Sequence, residues 1–318
     1  MTSNLRTAVI GAGTMGSNHA RLLMELTELV AIIDINKNKG LELAQKYDAN
    51  FYLDITTALE QEKLDAAVIA VPTYAHAIVA LRVLNRRVPV LLEKPISDNI
   101  LEARKVINTA KKLKTVLMIG HIERYNPVIK KLKAMIDSDE FGKILSIQAI
   151  RVGISPPKTI NSDVVLDLGI HDIDLINFLL DETPRQYTVY KNKLLTKNRS
   201  DYATVALQYR HTNASVQTNW VTPVKIRKLM ITGTKLYGEV DNIDQKLTIW
   251  ERNAEIKLKN GFYDFVSSFN PISKQVPIKK GEPLKEELLY FLKLVNNQHY
   301  EDCSYALNAL KITLNENN

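Results

Sequence analysis

One cysteine, Cys303, stands in 318 residues, and that scarcity excludes an internal disulfide framework and any thiolate metal cluster. It suits a reducing compartment. Long apolar runs are missing as well: none approaches the ~20 residues that a bilayer-spanning helix needs. The opening Met1-Thr2-Ser3-Asn4-Leu5-Arg6 runs straight into a strand-like segment with no separate apolar leader. A soluble, cytoplasmic chain with no membrane partner is the expectation. There is no Gly-x-x-x-x-Gly-Lys-Ser/Thr loop, which argues against phosphoryl transfer. There is no His-Glu-x-x-His helix and no cysteine pair, so no catalytic metal is expected. Repeats and low-complexity linkers are absent too.

Negative charge is in mild deficit, with 42 Lys and Arg against 35 Asp and Glu and a net charge of +7. The excess is scattered over helix faces (Lys105, Lys111, Lys112, Lys114) and hairpins (Lys191, Lys193, Lys197), with no basic stripe interleaved with aromatics. That pattern argues against nucleic acid as the natural partner and favours small anionic substrates and cofactors.

What is present divides into two textures. Through about residue 122, short apolar runs alternate with helical spacing: Thr7-Ala8-Val9-Ile10, Leu29-Val30-Ala31-Ile32-Ile33, Ala66 to Val71, Val88 to Leu92 and Val116 to Gly120 read as strands. Helices are expected over Met15 to Leu26, 38–47, 74–86 and 99–114. Continuous apolar strands alternating with helices imply a parallel sheet covered on both faces. Beyond that point a helix is expected from Pro127 to Ile136, a strand from Ile144 to Val152 and a helix from about Gly169 to Leu180. Alternating segments follow at Gln186 to Lys191, Tyr202 to Tyr209, Ala214 to Val221, Lys228 to Thr232, Tyr237 to Asp241 and Lys246 to Trp250, closed by helices over 282–297 and 303–315. The expected architecture is α/β: a doubly wound, Rossmann-type parallel sheet over 1–122, then an α+β domain over 123–318 with a large, mostly antiparallel sheet.

Gly11-Ala12-Gly13-Thr14-Met15-Gly16 lies between the first strand and the first helix, the context a dinucleotide loop requires. The first glycine permits the tight turn, the second lets a pyrophosphate approach, and the third lets helix and strand pack closely. The N–H groups of the helix start supply the phosphate site. Asp34 closes the second strand, where a carboxylate accepts hydrogen bonds from a ribose diol and repels a 2′-phosphate, favouring NAD over NADP. Lys37 and Lys39 follow and soften that preference. Asp34 can equally cap the next helix.

Four blocks together resemble the glucose–fructose oxidoreductase/inositol dehydrogenase/MocA family over nearly the whole chain. They are the glycine loop with its trailing His19, Val71-Pro72-Thr73-Tyr74-Ala75-His76, Glu93-Lys94-Pro95, and Asp167-Leu168-Gly169-Ile170-His171-Asp172-Ile173-Asp174. The resemblance implies an NAD-dependent sugar dehydrogenase with Lys94, Asp167 and His171 as its catalytic set. Read chemically, His171 is a general base, because imidazole titrates near neutrality. Lys94 sets an ammonium beside the developing alkoxide. Asp167, four residues before His171, pairs with Lys94 or orients the imidazole. Alone, each has a plainer use: a surface lysine, a core histidine, a helix cap. Asp174 is a candidate for the second nitrogen of His171. The family's Glu-Lys-Pro turn often carries a cis peptide, which would aim Lys94 into the cleft.

Val71, Pro72 and Thr73 are expected to line the nicotinamide pocket with Glu93 and Lys94, while His76 either joins them or braces the following helix. His121, Arg124, Tyr125 and Asn126 fall at the expected domain junction, where ligand clefts form. The stretch Gly120 to Pro127, Arg151-Val152-Gly153 and Pro156-Pro157 resemble the family's nucleotide-sugar branch, which implies a UDP-sugar oxidised at its 3-hydroxyl. On that reading Arg124, Tyr125, Asn126 and Arg151 contact substrate, and Arg151 and Lys158 reach a diphosphate. An inositol or free-sugar dehydrogenase, and a non-catalytic NAD(P)-binding sensor, stay open. A homodimer or homotetramer built through the second domain's sheet is expected, because helices do not cover that sheet's other face.

Overall fold

The computed structural model describes residues 4–154, 162–251 and 272–316. Two compact units emerge: Met1–Tyr125 with Glu282–Asn318, and Asn126–Gly281.

The first unit carries six strands: β1 (Arg6–Ile10), β2 (Glu28–Ile33), β3 (Asn50–Tyr52), β4 (Ala66–Ile69), β5 (Val90–Glu93) and β6 (Leu117–Gly120). Its helices are α1 (Thr14–Leu26), α2 (Lys37–Lys46), α3 (Ile55–Gln61), α4 (Thr73–Asn85) and α5 (Ile100–Leu113). The strands are parallel in the order β3-β2-β1-β4-β5-β6, so the order reverses between β1 and β4. Ligands of such sheets bind outside the strands' carboxyl ends at that reversal, which is where Gly11, Asp34, Val71 and Lys94 follow their strands. Two elements escape the sequence reading: β3, three residues long, and α3, which Asp54 starts by accepting hydrogen bonds from the Thr56 and Thr57 amides. Neither is long enough to show a period.

The closing helices depart from the expected boundary. α8 (Pro283–Asn296) and α9 (Ser304–Leu314) belong to the first unit, not to the second. The reason is apolar: Leu288 and Phe291 of α8 are wholly buried among Leu22, Leu23 and Leu26 of α1, Leu91 of β5 and Met118 of β6. In α9 the Tyr305 hydroxyl accepts the Ile119 amide at 3.4 Å, and just before it the Cys303 Sγ lies 3.2 Å from the Leu117 carbonyl.

The second unit holds an eight-stranded sheet, β14-β13-β12-β11-β7-β10-β9-β8. Its members are β7 (Ile144–Val152), β8 (Gln186–Asn192), β9 (Tyr202–Gln208), β10 (Asn213–Asn219), β11 (Ile226–Gly233), β12 (Leu236–Asp241), β13 (Lys246–Glu251) and β14 (Ser273–Val276). All neighbours are antiparallel except β7 and β10. Alternation sends Ala203, Val205 and Leu207 of β9 and Ala214, Val216 and Thr218 of β10 to a buried face. Packed on that sheet are α6 (Pro127–Asp137) and α7 (Ile170–Leu180), the latter preceded by a π-helical turn at Val165–Gly169. Pro156, Pro157 and Lys158 lie outside the described residues.

Candidate active site

The glycine loop is built by sterics. Gly11 has φ of +104°, in the region that favours glycine, and a Cβ there would stand 2.5 Å from the Ala70 carbonyl oxygen. At Gly16 a Cβ would fall 1.7 Å from the Gly11 carbonyl oxygen, so only glycine lets α1 pack this close to β1. Gly13 differs: no protein atom lies within 4 Å of its would-be Cβ. The protein's own packing does not demand glycine there, and bare backbone is left for a ligand to approach. Thr14 begins α1 with no side-chain cap and no acidic residue in the first turn, so its free N–H groups and positive end suit phosphate. Met15 packs against the core.

Asp34 meets this loop directly. Its Oδ2 accepts the Ala12 amide at 2.5 Å and its Oδ1 the Asn36 amide at 2.6 Å. The cap of α2 is Asn36, which accepts the Lys39 amide at 3.1 Å, so the capping alternative for Asp34 falls away. Two amide donors hold the Asp34 side chain as an acceptor set beside the loop. Together, open Gly13, the uncapped helix start and this carboxylate suit an adenine dinucleotide with an unsubstituted ribose.

At the ends of β4 and β5, Pro72 precedes α4 without a side-chain cap and Thr73 starts the helix. His76 does not reach outward: it is 2% exposed, with Nδ1 2.6 Å from the Pro95 carbonyl oxygen and Nε2 2.8 Å from that of Val71. It ties two chain segments together, so its place as a cofactor contact is corrected to a brace. Burial pushes its pKa down against both carbonyls, which raise it. The Lys94–Pro95 peptide is cis. Glu93 points inward. Its Oε1 lies 2.8 Å from His19 Nε2, and its Oε2 accepts the Lys94 amide at 3.2 Å. Burial alone would raise the Glu93 carboxyl, but the His19 hydrogen bond with the charges of His19, Lys94 and His76 holds it low. Glu287 of α8 sits beside it, fully buried, with no hydrogen-bond partner for either carboxyl oxygen among the described residues. Burial first, and then Glu93, push Glu287 well above the usual carboxylate range.

The residues around the chain's passage out of the first unit are engaged internally. His121 meets the Tyr305 ring edge-on at 5.8 Å, and the Arg124 guanidinium lies 3.9 Å from the centre of the same ring. Tyr125 packs against Tyr290. In the second unit, Asn126 accepts the Val128 amide at 3.3 Å as the cap of α6 and donates to the Asn242 carbonyl at 3.0 Å. At 2% exposure this side chain is a buried cap, not a substrate contact. Arg151 is corrected likewise: its Nε and Nη2 bond both oxygens of Asp172 at 2.8 and 2.9 Å, and both side chains are about 5% exposed or less. A guanidinium clamped that way is a buried ion pair, with Nε and Nη2 spent on Asp172 rather than turned toward a diphosphate.

Asp167 lies in the π-helical turn and His171 in the first turn of α7. π turns frequently mark functional sites. The cap of this segment is Asp163, whose Oδ1 accepts the Val165 and Leu166 amides and whose Oδ2 meets Lys191 Nζ at 2.7 Å. Asp167 is therefore not the cap, and its Oδ2 accepts the Trp220 indole N–H at 3.3 Å. Trp220, 3% exposed at the end of β10, carries the Arg199 guanidinium over its ring at 5.2 Å. Asp174 is buried beside Tyr209, whose hydroxyl is raised by burial, Glu182 and Asp174. Lys94 belongs to the first unit, Asp167 and His171 to the second. The sequence reading missed Trp220, the partner of His19, Asp163 and Glu287. Trp220 left one signal, an indole with a single donor at the end of an alternating strand.

Known proteins carry the same two units. Residues 5–121 match a family model described as oxidoreductase family, NAD-binding Rossmann fold, and residues 129–237 match the GFO/IDH/MocA C-terminal domain. The UDP-N-acetylglucosamine 3-dehydrogenase of Acidithiobacillus ferrooxidans is 29% identical over 252 residues, covering 79% of this chain and 78% of that protein. Its solved structure superposes with a TM-score of 0.85 at 26% identity, covering 98% of this chain and 96% of that one. The inositol 2-dehydrogenase of Mycolicibacterium smegmatis is 31% identical over 186 residues, 57% of this chain and 54% of its own length. No described helix is long and apolar enough to cross a membrane. An NAD-binding Rossmann unit joined to this C-terminal domain places the chain in the Gfo/Idh/MocA oxidoreductase family.

Proposed function

We propose that this chain oxidises the 3-hydroxyl of a UDP-N-acetylhexosamine, UDP-N-acetylglucosamine first among them, to a 3-keto sugar nucleotide with NAD as oxidant. One observation carries the reading: the likeness to the UDP-N-acetylglucosamine 3-dehydrogenase runs through both units, over 79% of the chain, whereas the likeness to the inositol dehydrogenase covers 57%. The latter's 31% identity keeps a polyol as the second reading.

Bound NAD supplies the hydride acceptor. The glycine loop, the start of α1 and Asp34 would hold it, and Val71, Pro72 and Thr73, at the carboxyl end of β4, would line the place of its nicotinamide. His171 takes the hydroxyl proton as general base. The Lys94 ammonium faces the oxygen and stabilises the charge that develops on it. Asp167, whose carboxylate accepts the Trp220 indole N–H, orients His171 one turn further along the same segment. Of the junction residues, Arg124 and Tyr125 contact substrate from the first unit.

A second copy of this chain covers the open face of the eight-stranded sheet, where Ile150, Met230, Tyr237 and Trp250 share one side through the register of β7, β11, β12 and β13. Sedimentation of the Met230→Glu variant reads this: a dimer or tetramer dissociates if the face is the interface.

The activity test is direct. The protein is incubated with NAD and UDP-N-acetylglucosamine, other UDP-sugars, inositols and hexoses, and NADH absorbance is followed. Turnover confined to UDP-N-acetylhexosamines is expected, and turnover of inositol alone overturns the reading in favour of the second. Lys94→Met and His171→Gln each lower kcat by roughly 10²- to 10⁴-fold.

A further inference from the structure

Two buried histidines converge on the backbone on either side of Lys94. His19 comes from α1, is wholly buried, and holds Glu93 at 2.8 Å. The other oxygen of Glu93 accepts the Lys94 amide at 3.2 Å. On the far side, His76 of α4 joins the Pro95 carbonyl at 2.6 Å to the Val71 carbonyl at 2.8 Å. A Cβ added at Gly120 would stand in van der Waals contact with Glu93, at 3.4 and 3.5 Å, so the glutamate lies close against the β6 backbone at that position. All four contacts lie within the first unit; a neutral imidazole has one N–H, so His76 donates to one of its two carbonyls and packs against the other.

We propose that His19 and His76 form a two-point clamp that positions Lys94, and that His19, acting through Glu93, couples the phosphate-facing helix α1 to the lysine. The inference rests on the reading of Lys94 as the group that meets the substrate oxygen. A lysine places its charge at the end of a flexible four-carbon stem. The reach of that charge is then set by where the backbone launches it, and launch error is costly: an error of about 1 Å in a reacting group loses on the order of 10²-fold in rate. Both clamp residues lie in helices that start at the dinucleotide site, α1 at Thr14 and α4 at Thr73. Seating of the dinucleotide on α1 therefore bears on the residue next to Lys94. Neither histidine touches substrate or cofactor in this scheme. Both are positioning residues.

The test compares His19→Leu and His76→Leu, which remove the nitrogens at similar volume, with His19→Gln and His76→Gln, which keep a donor. The Leu variants are expected to lose kcat by on the order of 10- to 100-fold, while NADH affinity read by fluorescence changes by less than about threefold. The Gln variants recover most of the loss. Adding His76→Leu to Lys94→Met costs nothing further, because both act through one group. A substrate-independent reading uses reductive ¹³C-methylation of the lysines. The Lys94 resonance, identified by its absence in Lys94→Arg, stands apart from the surface lysines and collapses onto them in the Leu variants. Unchanged kcat and an unchanged Lys94 resonance overturn the clamp, as does equal loss of kcat and NADH affinity. If one Leu variant fails to fold, the other histidine and both Gln variants carry the comparison. Full turnover in Lys94→Met sinks the reading of Lys94 itself; its loss there with intact histidine variants sinks the clamp alone.

Discussion

The first unit builds its candidate site mainly from backbone, the second from side chains. In the first, two glycines are forced by carbonyl oxygens, a third stands open, and a helix start is left without a cap. In the second, Asp167 and His171 are mounted on a π turn and the helix after it, and Asp167 is held by an indole 53 residues away in sequence. A backbone site needs strand, glycine and helix in phase over a few residues. A side-chain site needs partners delivered by the fold. The same contrast holds for charge: Asp34 is held by backbone amides, whereas Arg151 and Asp172 meet side chain to side chain.

The sharpest way to break that comparison is at the glycines. Gly16→Ala puts a Cβ 1.7 Å from a backbone oxygen that cannot swing away. Loss of NADH binding and a clear fall in Tm are expected. Gly13→Ala meets no protein atom within 4 Å. It should leave Tm within a couple of degrees while weakening NADH by about tenfold or more, as a methyl blocks close approach of the pyrophosphate. Equal Tm losses in the two would mean that the loop is a fold element and not a binding surface.

Next in size is Arg151→Met. It leaves the Asp172 carboxylate buried without its fork, and breaking such a pair costs about 3–5 kcal/mol. Denaturant unfolding reads the loss. If stability holds and only the KM for the sugar nucleotide rises, Arg151 is a substrate residue after all. Smaller again, Trp220→Phe keeps the ring and deletes the donor to Asp167. A hydrogen bond to a charged group is worth about 1.5–3 kcal/mol, so kcat falls by roughly tenfold or somewhat more, with NADH affinity unchanged. Unchanged kcat would show that Asp167 needs no support from the sheet.

The smallest effect is a pH dependence in the first unit. Burial and Glu93 raise Glu287 above the ordinary carboxylate range. The native state therefore keeps a proton that the unfolded chain releases, so stability from this group is complete below the unfolded value of about 4.3 and is lost as pH rises. Glu287→Gln should raise Tm by a few degrees at pH ~8, and the gain should vanish near pH ~4. A gain of equal size at both pH values would show that the carboxyl does not titrate against folding.

Legibility followed the same division. The apolar runs around Val9, Ile32, Val68, Leu91 and Met118 announce a parallel sheet because strands buried on both faces read as continuous apolar segments. The alternation through Ala203 to Leu207 announces a sheet buried on one face. By contrast, α8 is amphipathic wherever it docks, so its period could not tell which unit receives Phe291. Arg151 and Asn126 look like ligand residues from composition alone. Only the positions of Asp172, Val128 and Asn242 show that both are tied up within the protein. His76 reads as a motif histidine, and only the carbonyls of Val71 and Pro95 show what it grips.

What the sequence determined by itself was the dinucleotide loop, the acid that follows it, the order of strands and helices, and the family motifs around Lys94, Asp167 and His171. Those features depend on steric rules and periods that act over a few residues. The tertiary structure decided the rest: the return of the C-terminal helices to the first unit, the indole on Asp167, the ion pair that takes Arg151, and the two histidines around Lys94. A buried polar group has no preferred partner in sequence; it takes whichever donor or acceptor the packing brings within bonding distance, because leaving it unpaired costs more.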